Sequence, residues 1–429
     1  MSKNIISSLL LLSSMVFHTV AQEVLTLERV REMAVSRNQD LKIANLQADK
    51  ASRLHSAART SRLPSFSAFG TGIYQGKDFE IEMILPVNIS LSGAYLMGVT
   101  MEQPLYTGGR ISAGNTMADI GVEIASGNVS LQKVNTIIAA DNAYWEYVSV
   151  NQQVRLAEKA VNMLEEFVQL AADSYEVGMV GRNDVLKARV EYNNAKLDLQ
   201  KAVNGRELNR MELCRVTGLP FDTQIVAADT IIEISRQLYP GSDEKYPEQR
   251  PEYRILKNNV RMSEENIKMV RAEYLPVAGI QVGYNHIAGI EFGGSELSST
   301  GFSVIGSLKI PLFQWGQGLR KVSAARLEKQ MSEYELEKNR ELLHLEAEQA
   351  RLDLQLAYER VRMCESALEH AEENLRVSRD NYEIGMETIT GLLTARTQWQ
   401  KAQSELIESK AGYRLKETEW LKVTGRLGE

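Results

Sequence analysis

Metal ligation and proton transfer near neutral pH fall first to histidine. The five histidines here, His18, His55, His286, His344 and His370, share no ligand spacing. Two cysteines, Cys214 and Cys364, are too few for a disulfide framework and read as buried small hydrophobes. Gly70, Gly72 and Gly76 look faintly like a nucleotide loop, but they sit in a strand and loop with no helix following to meet a phosphate. Acidic residues are abundant on helical stretches, as on any solvated face. No catalytic constellation, cofactor or metal site is expected, and the chain reads as a non-enzyme. One short motif stands out for another reason: Tyr175-Glu176-Val177-Gly178-Met179 recurs as Tyr382-Glu383-Ile384-Gly385-Met386.

That recurrence is one of several. Pro104-Leu105-Tyr106 returns as Pro311-Leu312-Phe313, and Val216-Thr217-Gly218 as Val423-Thr424-Gly425, all 207 residues apart (311 − 104). Upstream, Leu63-Pro64 matches Leu275-Pro276 at 212 (276 − 64), and Gln39-Asp40 stands opposite Pro251-Glu252 at the same spacing. Each copy is about half the chain, far longer than a stacked solenoid repeat, so a duplicated domain is the simpler reading. The change of offset puts five extra residues in the first copy between Pro64 and Pro104 (212 − 207), expected in an exposed loop.

Residues 1–21 read as a secretory signal: Lys3 supplies the positive start, Ile5 to Val20 is mostly apolar, and Thr19-Val20-Ala21 offers small residues before a cut. Past residue 21 no run of about 18 apolar residues could form a transmembrane helix. An exported chain of this kind is either soluble or spans a membrane as β-structure. The net charge of −7, or −8 without Lys3, argues against nucleic acid as a partner.

From Arg110 to Tyr175 there is no proline, and Ala, Leu, Val, Glu, Gln and Lys dominate. A helix of about 66 residues would run about 99 Å; the second copy repeats it from Gly318 to Tyr382. The return segments carry stripes at steps of three and four: Val185, Ala188, Tyr192, Ala195, Leu199, Ala202, and Leu392, Ala395, Trp399, Ala402, Leu406, Ser409. A mean step of 3.5 is the coiled-coil period. Shorter periodic segments, Leu41–Arg62 and Tyr253–Glu273, supply a further helix to each copy. At the hairpin tips Gly178 and Gly385 suit left-handed turns. Asn183 or Asp184, and Thr388 or Thr390, can cap the helices that follow.

The remainder changes period. Ala278, Ile280, Val282 and Tyr284 alternate with Gly279, Gln281, Gly283 and Asn285, and Tyr95, Met97, Val99 and Met101 alternate with smaller residues. Alternating strands of about ten residues are the weak signature of a transmembrane β-barrel. Four strands cannot close a barrel, whose smallest single-chain form has about eight. Open edges do not survive in lipid, so several chains would have to share one barrel, and three would give twelve strands.

Over nearly its whole mature length the chain resembles the TolC-like outer-membrane efflux channels. The resemblance is carried by Leu25-Thr26-Leu27-Glu28, the two Leu-Pro strand entries, the strand-to-helix turns and the paired tips. The turns read Gln103-Pro104-Leu105-Tyr106-Thr107-Gly108-Gly109 and Ile310-Pro311-Leu312-Phe313-Gln314-Trp315-Gly316. It implies a mainly α fold with transmembrane β: long antiparallel helical hairpins forming a periplasmic tunnel, and two β-hairpins contributing four strands to a twelve-stranded barrel shared by a homotrimer in outer-membrane lipid. The organisation would be 22–218 as a first repeat (hairpin about 64–104, helical hairpin about 110–217), 219–250 as a belt segment, and 251–429 as a second repeat (about 276–311 and 318–424).

The implied function is passive conduction, with a periplasmic adaptor at the tunnel tip and an inner-membrane transporter of RND or ABC type supplying energy. By the resemblance, Tyr175, Val177, Gly178, Tyr382, Ile384 and Gly385 would contact the adaptor. Well-known members narrow the pore with acidic residues in the second tip; here those positions are Gly391 and Thr394, Asp184 is kept in the first tip, and Glu387 stands where a basic residue often sits. The gate is therefore expected to rest on packing and Asp184. Counted along the helices from the tips, Cys214 and Cys364 differ in height by about 22 Å, so both thiols are expected to be free. The competing reading is a periplasmic coiled-coil scaffold with no pore, which would not need two matched hairpins.

Overall fold

The computed structural model describes residues 23–74, 76, 79–81, 87–90, 93–229, 232, 234, 246–292 and 295–427. The segment expected as a secretory signal, 1–21, lies outside them, as do residues 230, 231, 233 and 235–245 of the expected belt.

The first half runs β1 (Glu23–Leu25), α1 (Leu27–Arg37), α2 (Gln39–Thr60), β2 (Ser65–Ile73), β3 (Phe79–Ile81), β4 (Val87–Ser90), β5 (Ala94–Tyr106), α3 (Arg110–Glu176) and α4 (Arg182–Thr217). After β6 (Ile225–Ala227) and α5 (Tyr246–Gln249), the second half runs α6 (Pro251–Ala272), β7 (Val277–Phe292), β8 (Ser295–Lys309), α7 (Gln317–Glu383) and α8 (Ile389–Val423). Both long helices have 67 residues, several times the usual length. The stretches contain no proline to break the backbone ladder, and left-handed glycines close their ends.

By contacts the chain divides into two compact units, and each takes segments from both sequence repeats. Of the described residues, one holds those within 23–43, 130–250 and 341–427, and the other those within 44–129 and 251–340.

In the first unit, β1 lies parallel to β6, with Val24 opposite Val226. A core of Leu25, Val30, Tyr144, Val148, Leu213 and Ile225 surrounds this pair. A second core joins Tyr246, Leu354, Tyr413, Trp420 and Val423. A third, toward the helical tips, gathers Leu164, Phe167, Val185, Leu392 and Trp399. The α8 stripe read from the sequence, Leu392 to Ser409, is buried at every one of its six positions. Cys214 and Cys364 are both free.

In the second unit a six-stranded sheet holds the order β2-β5-β7, with β8 on the far side of β7. The expected pair of hairpins thus becomes six strands. The connection between β2 and β5 carries the extra pair β3–β4, and Ile89 and Ser90 of β4 join the end of β7 opposite Phe292 and Glu291. β7 outruns β5 there, since its pairing with β5 reaches only Ala288, and the exposed ladder is what β4 fills. Pro104, expected in a turn, lies instead within β5, opposite Gly279. β2 covers β5 only as far as Glu102, so the proline's missing N–H falls where no β2 partner waits.

Candidate functional site: the helical tips and the two-faced sheet

At the first tip Gly178 N donates to Tyr175 O (3.0 Å) and Met179 N to Ser174 O (2.9 Å). At the second, Gly385 N donates to Tyr382 O (3.0 Å) and Met386 N to Asn381 O (2.8 Å). These are the two crossed bonds of a Schellman end, and they require a left-handed residue; Gly178 sits at φ +78 and Gly385 at φ +77. The turns push Val177, Met179, Ile384 and Met386 into solvent.

The two tyrosines of the repeated motif part company. Tyr175 is 46% exposed, whereas Tyr382 is 4% exposed and packs with Leu164, Phe167, Val185 and Leu392. Tyr382, expected at a contact surface, is a core residue; burial and then the nearby Asp184 carboxylate push its phenol up. Sequence identity between the motifs hid this, because burial depends on which helices pack behind each tip.

The helix starts differ as well. α8 is capped by Thr388, whose hydroxyl accepts from Gly391 N at 3.1 Å. Glu387 Oε1 accepts from Thr388 N at 2.8 Å, and its carboxylate occupies the space where a side chain at Gly391 would begin. An anion there also suits the positive end of the helix. α4 has no such cap: its N-cap is Gly181, with no side-chain bond, so Asn183 and Asp184 are not the caps expected of them. They fall inside the first turn, two and three residues past the cap. Asp184 instead faces Lys187 (3.5 Å), whose ammonium also donates to Thr390 Oγ1 at 3.3 Å and so links α4 to α8. Thr394 donates to Thr390 O within α8. Between α4 and α8 runs a groove of about 730 Å³, lined by Leu186, Val190 and Leu393 with Lys187, Glu191 and Thr394 on its polar side. Met179, Met386, Lys187 and the capping role of Glu387 were missed in the sequence; the recurring Met was the one signal available.

The sheet has two chemically distinct faces, because directly opposed residues share a side. Phe66, Met101, Val282 and Val304 form one row, and Ala68, Val99, Tyr284 and Phe302 the next. On the other side stand Ser67, Thr100, Gly283 and Ser303, then Phe69, Gly98, Asn285 and Gly301. Ser67 and Thr100 share a hydrogen bond at 2.9 Å, as do Asn285 Nδ2 and Ser303 Oγ at 3.3 Å. Phe66, Val99, Tyr284, Phe302 and Val304 are all exposed. β2 and β8 are the outer strands. At the strand-to-helix turns Gly108, Gly109 and Gly316 have positive φ, while Pro311 follows the end of β8. Among the described residues no helix is long and apolar enough to cross a membrane, and no group of three His, Cys, Asp or Glu could hold a metal.

A sheet greasy on one face and polar on the other, in a chain with two helices of 67 residues, is the pattern of a membrane channel component. The model of the outer membrane efflux protein family matches residues 30–219 and 246–426, and the chain belongs to that family. It is 20% identical over 417 residues to the probable efflux pump outer membrane protein TtgC of Pseudomonas putida, covering 93% of this chain and 82% of that one. It is 23% identical over 336 residues to the alkaline protease secretion protein AprF of Pseudomonas aeruginosa, covering 75% and 67%. The fold matches the outer-membrane channel OprN with a TM-score of 0.80 at 18% identity, covering 93% of this chain and 89% of that chain.

Proposed function

We propose that this protein is the outer-membrane exit duct of a tripartite export system, passing substrates from a periplasmic adaptor and an inner-membrane transporter of RND or ABC type to the outside. The observation that carries the reading is the sheet: its apolar face is uncovered and its outer strands β2 and β8 have no outer partners among the described residues. Lipid satisfies such a face, and only closure satisfies such edges. Three copies, each giving four long strands, close a barrel of twelve, with the polar rows of Ser67, Thr100, Asn285 and Ser303 turned to water. The short β3–β4 pair then belongs to an external loop.

The adaptor meets the tips through Tyr175, Val177, Gly178, Ile384 and Gly385, with Met179 and Met386 as the adaptable apolar contacts and the α4–α8 groove beside them. Tyr382 supports this surface from within. The gate rests on packing and on Asp184, held by Lys187. The names of the relatives include both efflux and protease secretion, and small molecules and proteins are both candidate cargo.

The test is made on outer-membrane fractions and planar bilayers. Heat-modifiable trimers and discrete conductance steps are expected; a protein recovered only as a soluble periplasmic species overturns the reading. Photo-crosslinkers at Val177 and Ile384 should capture the adaptor, and none should be captured from Tyr382. Asp184→Ala should change conductance or cation block; identical traces would remove Asp184 from the gate.

A further inference from the structure

A cavity of about 380 Å³ lies among α3, α7 and α8 in the first unit, well along the helices from the tip turns. Its floor is apolar: Leu156, Trp399, Leu406 and Ile407 are all buried there. Its rim is cationic. Arg155 and Lys159 stand four residues apart on one face of α3, and Lys410 approaches from α8. Like charges one helical turn apart repel. Among the described residues neither Arg155 nor Lys159 has a carboxylate partner. Lys410 is held by Glu365 at 3.2 Å, and Glu372 also lines the space. Three cations thus line the cavity with one carboxylate, Glu372. The amide Nε2 of Gln152, also at this cavity, is buried and has no hydrogen-bond partner among the described residues.

We infer that this cavity binds a small amphipathic monoanion, a carboxylate or sulfonate on a flat apolar body. The acid group would sit between Arg155, Lys159 and Lys410 and accept from the Gln152 amide, while the apolar body lies over Trp399. The volume is at the low end for ligand sites, which are mostly apolar with a few placed polar groups, and suits a bicyclic acid rather than a peptide segment. The excess of cations over carboxylates in the lining favours an anionic group. A neutral solute would gain nothing from the cationic rim, and a dianion would bring its second charge toward Glu372. The inference goes beyond the export reading and does not rest on it.

The experiment titrates the purified full chain, in a non-ionic detergent, with 2-naphthoate by calorimetry, alongside the neutral 2-naphthalenemethanol. Saturable binding of one naphthoate per chain is expected, at least tenfold tighter than the alcohol and weakened by salt. Lys159→Glu and Arg155→Glu, both exposed positions, should each lower the affinity at least tenfold, with helical content unchanged by circular dichroism. Lys401→Glu, away from the cavity on α8, should leave it as it is. Absence of saturable binding, equal affinity for the alcohol, or wild-type affinity in both charge reversals each overturns the proposal. Channel conductance plays no part in the readout, so failure here and failure of the export reading are separate results.

Discussion

Asp141 is fully buried and saturated with donors. Arg31 reaches it with two parallel bonds of 2.6 Å, and Thr418 donates at 2.7 Å. The carboxylate in turn is the main reason the Arg31 pKa is raised. Removing one partner of a buried pair strands the other. Asp141→Ala should cost about 3–5 kcal/mol, and Asp141→Asn less, read as the shift in a urea midpoint; an unchanged midpoint would mean water replaces the acid at no cost. Tyr144 offers a pH test. Burial, and then its bond to Asp229 at 2.5 Å, push its phenol far above the ordinary value. The folded chain keeps a proton that the unfolded chain releases above about pH 10. Stability should therefore fall as pH rises past that point, and the fall should be shallower in Tyr144→Phe. Both residues lie in the long proline-free stretch, whose sequence says helix but not which of its acids and phenols become buried.

At the scale of elements, turn chemistry is specific. Gly178 and Gly385 hold a left-handed conformation that costs other residues about 1–2 kcal/mol. Gly385→Ala should lower stability by that amount, measured as unfolding free energy, whereas Gly205→Ala, inside α4 where an added methyl meets nothing within 4 Å, should raise it. The sheet gives a sharper comparison. Val304 and Ser303 are neighbours on β8 facing opposite sides. If the apolar face meets lipid, Val304→Lys should destabilise by about 2–4 kcal/mol near the bilayer midplane and reduce heat-modifiable oligomer. Ser303→Lys should be tolerated; equal losses would contradict the assignment of faces. The alternation of Tyr95, Met97, Val99 and Met101 made these faces legible in advance. β3 and β4 were not legible, because strands of three and four residues carry too few periods and arise from the free ladder at the end of β7. The α4 cap was missed for a similar reason: cap preference names suitable residue types, but a shift of two residues decides which of Gly181 and Asn183 holds the place.

At the scale of the molecule, the uncovered sheet face and open edges leave the single chain incomplete as a membrane structure. If copies complete it, stability is inseparable from protein concentration. The thermal midpoint in non-ionic detergent should rise as concentration is raised, and a midpoint independent of concentration would point to a self-sufficient chain. Sequence alone determined the duplication, the long helices, the buried stripe of α8 and the two faces of the sheet. Each is written in a periodicity of 207, 3.5 or 2, and periodicity is a property of the chain itself. Tertiary structure decided that Tyr382 is core while Tyr175 is surface, that Glu387 fills the space at Gly391, and that Lys187 ties α4 to α8. It also decided that the compact units cut across the repeats. Those outcomes depend on which neighbour stands behind a residue, and two copies of one motif placed against different neighbours need not share a fate.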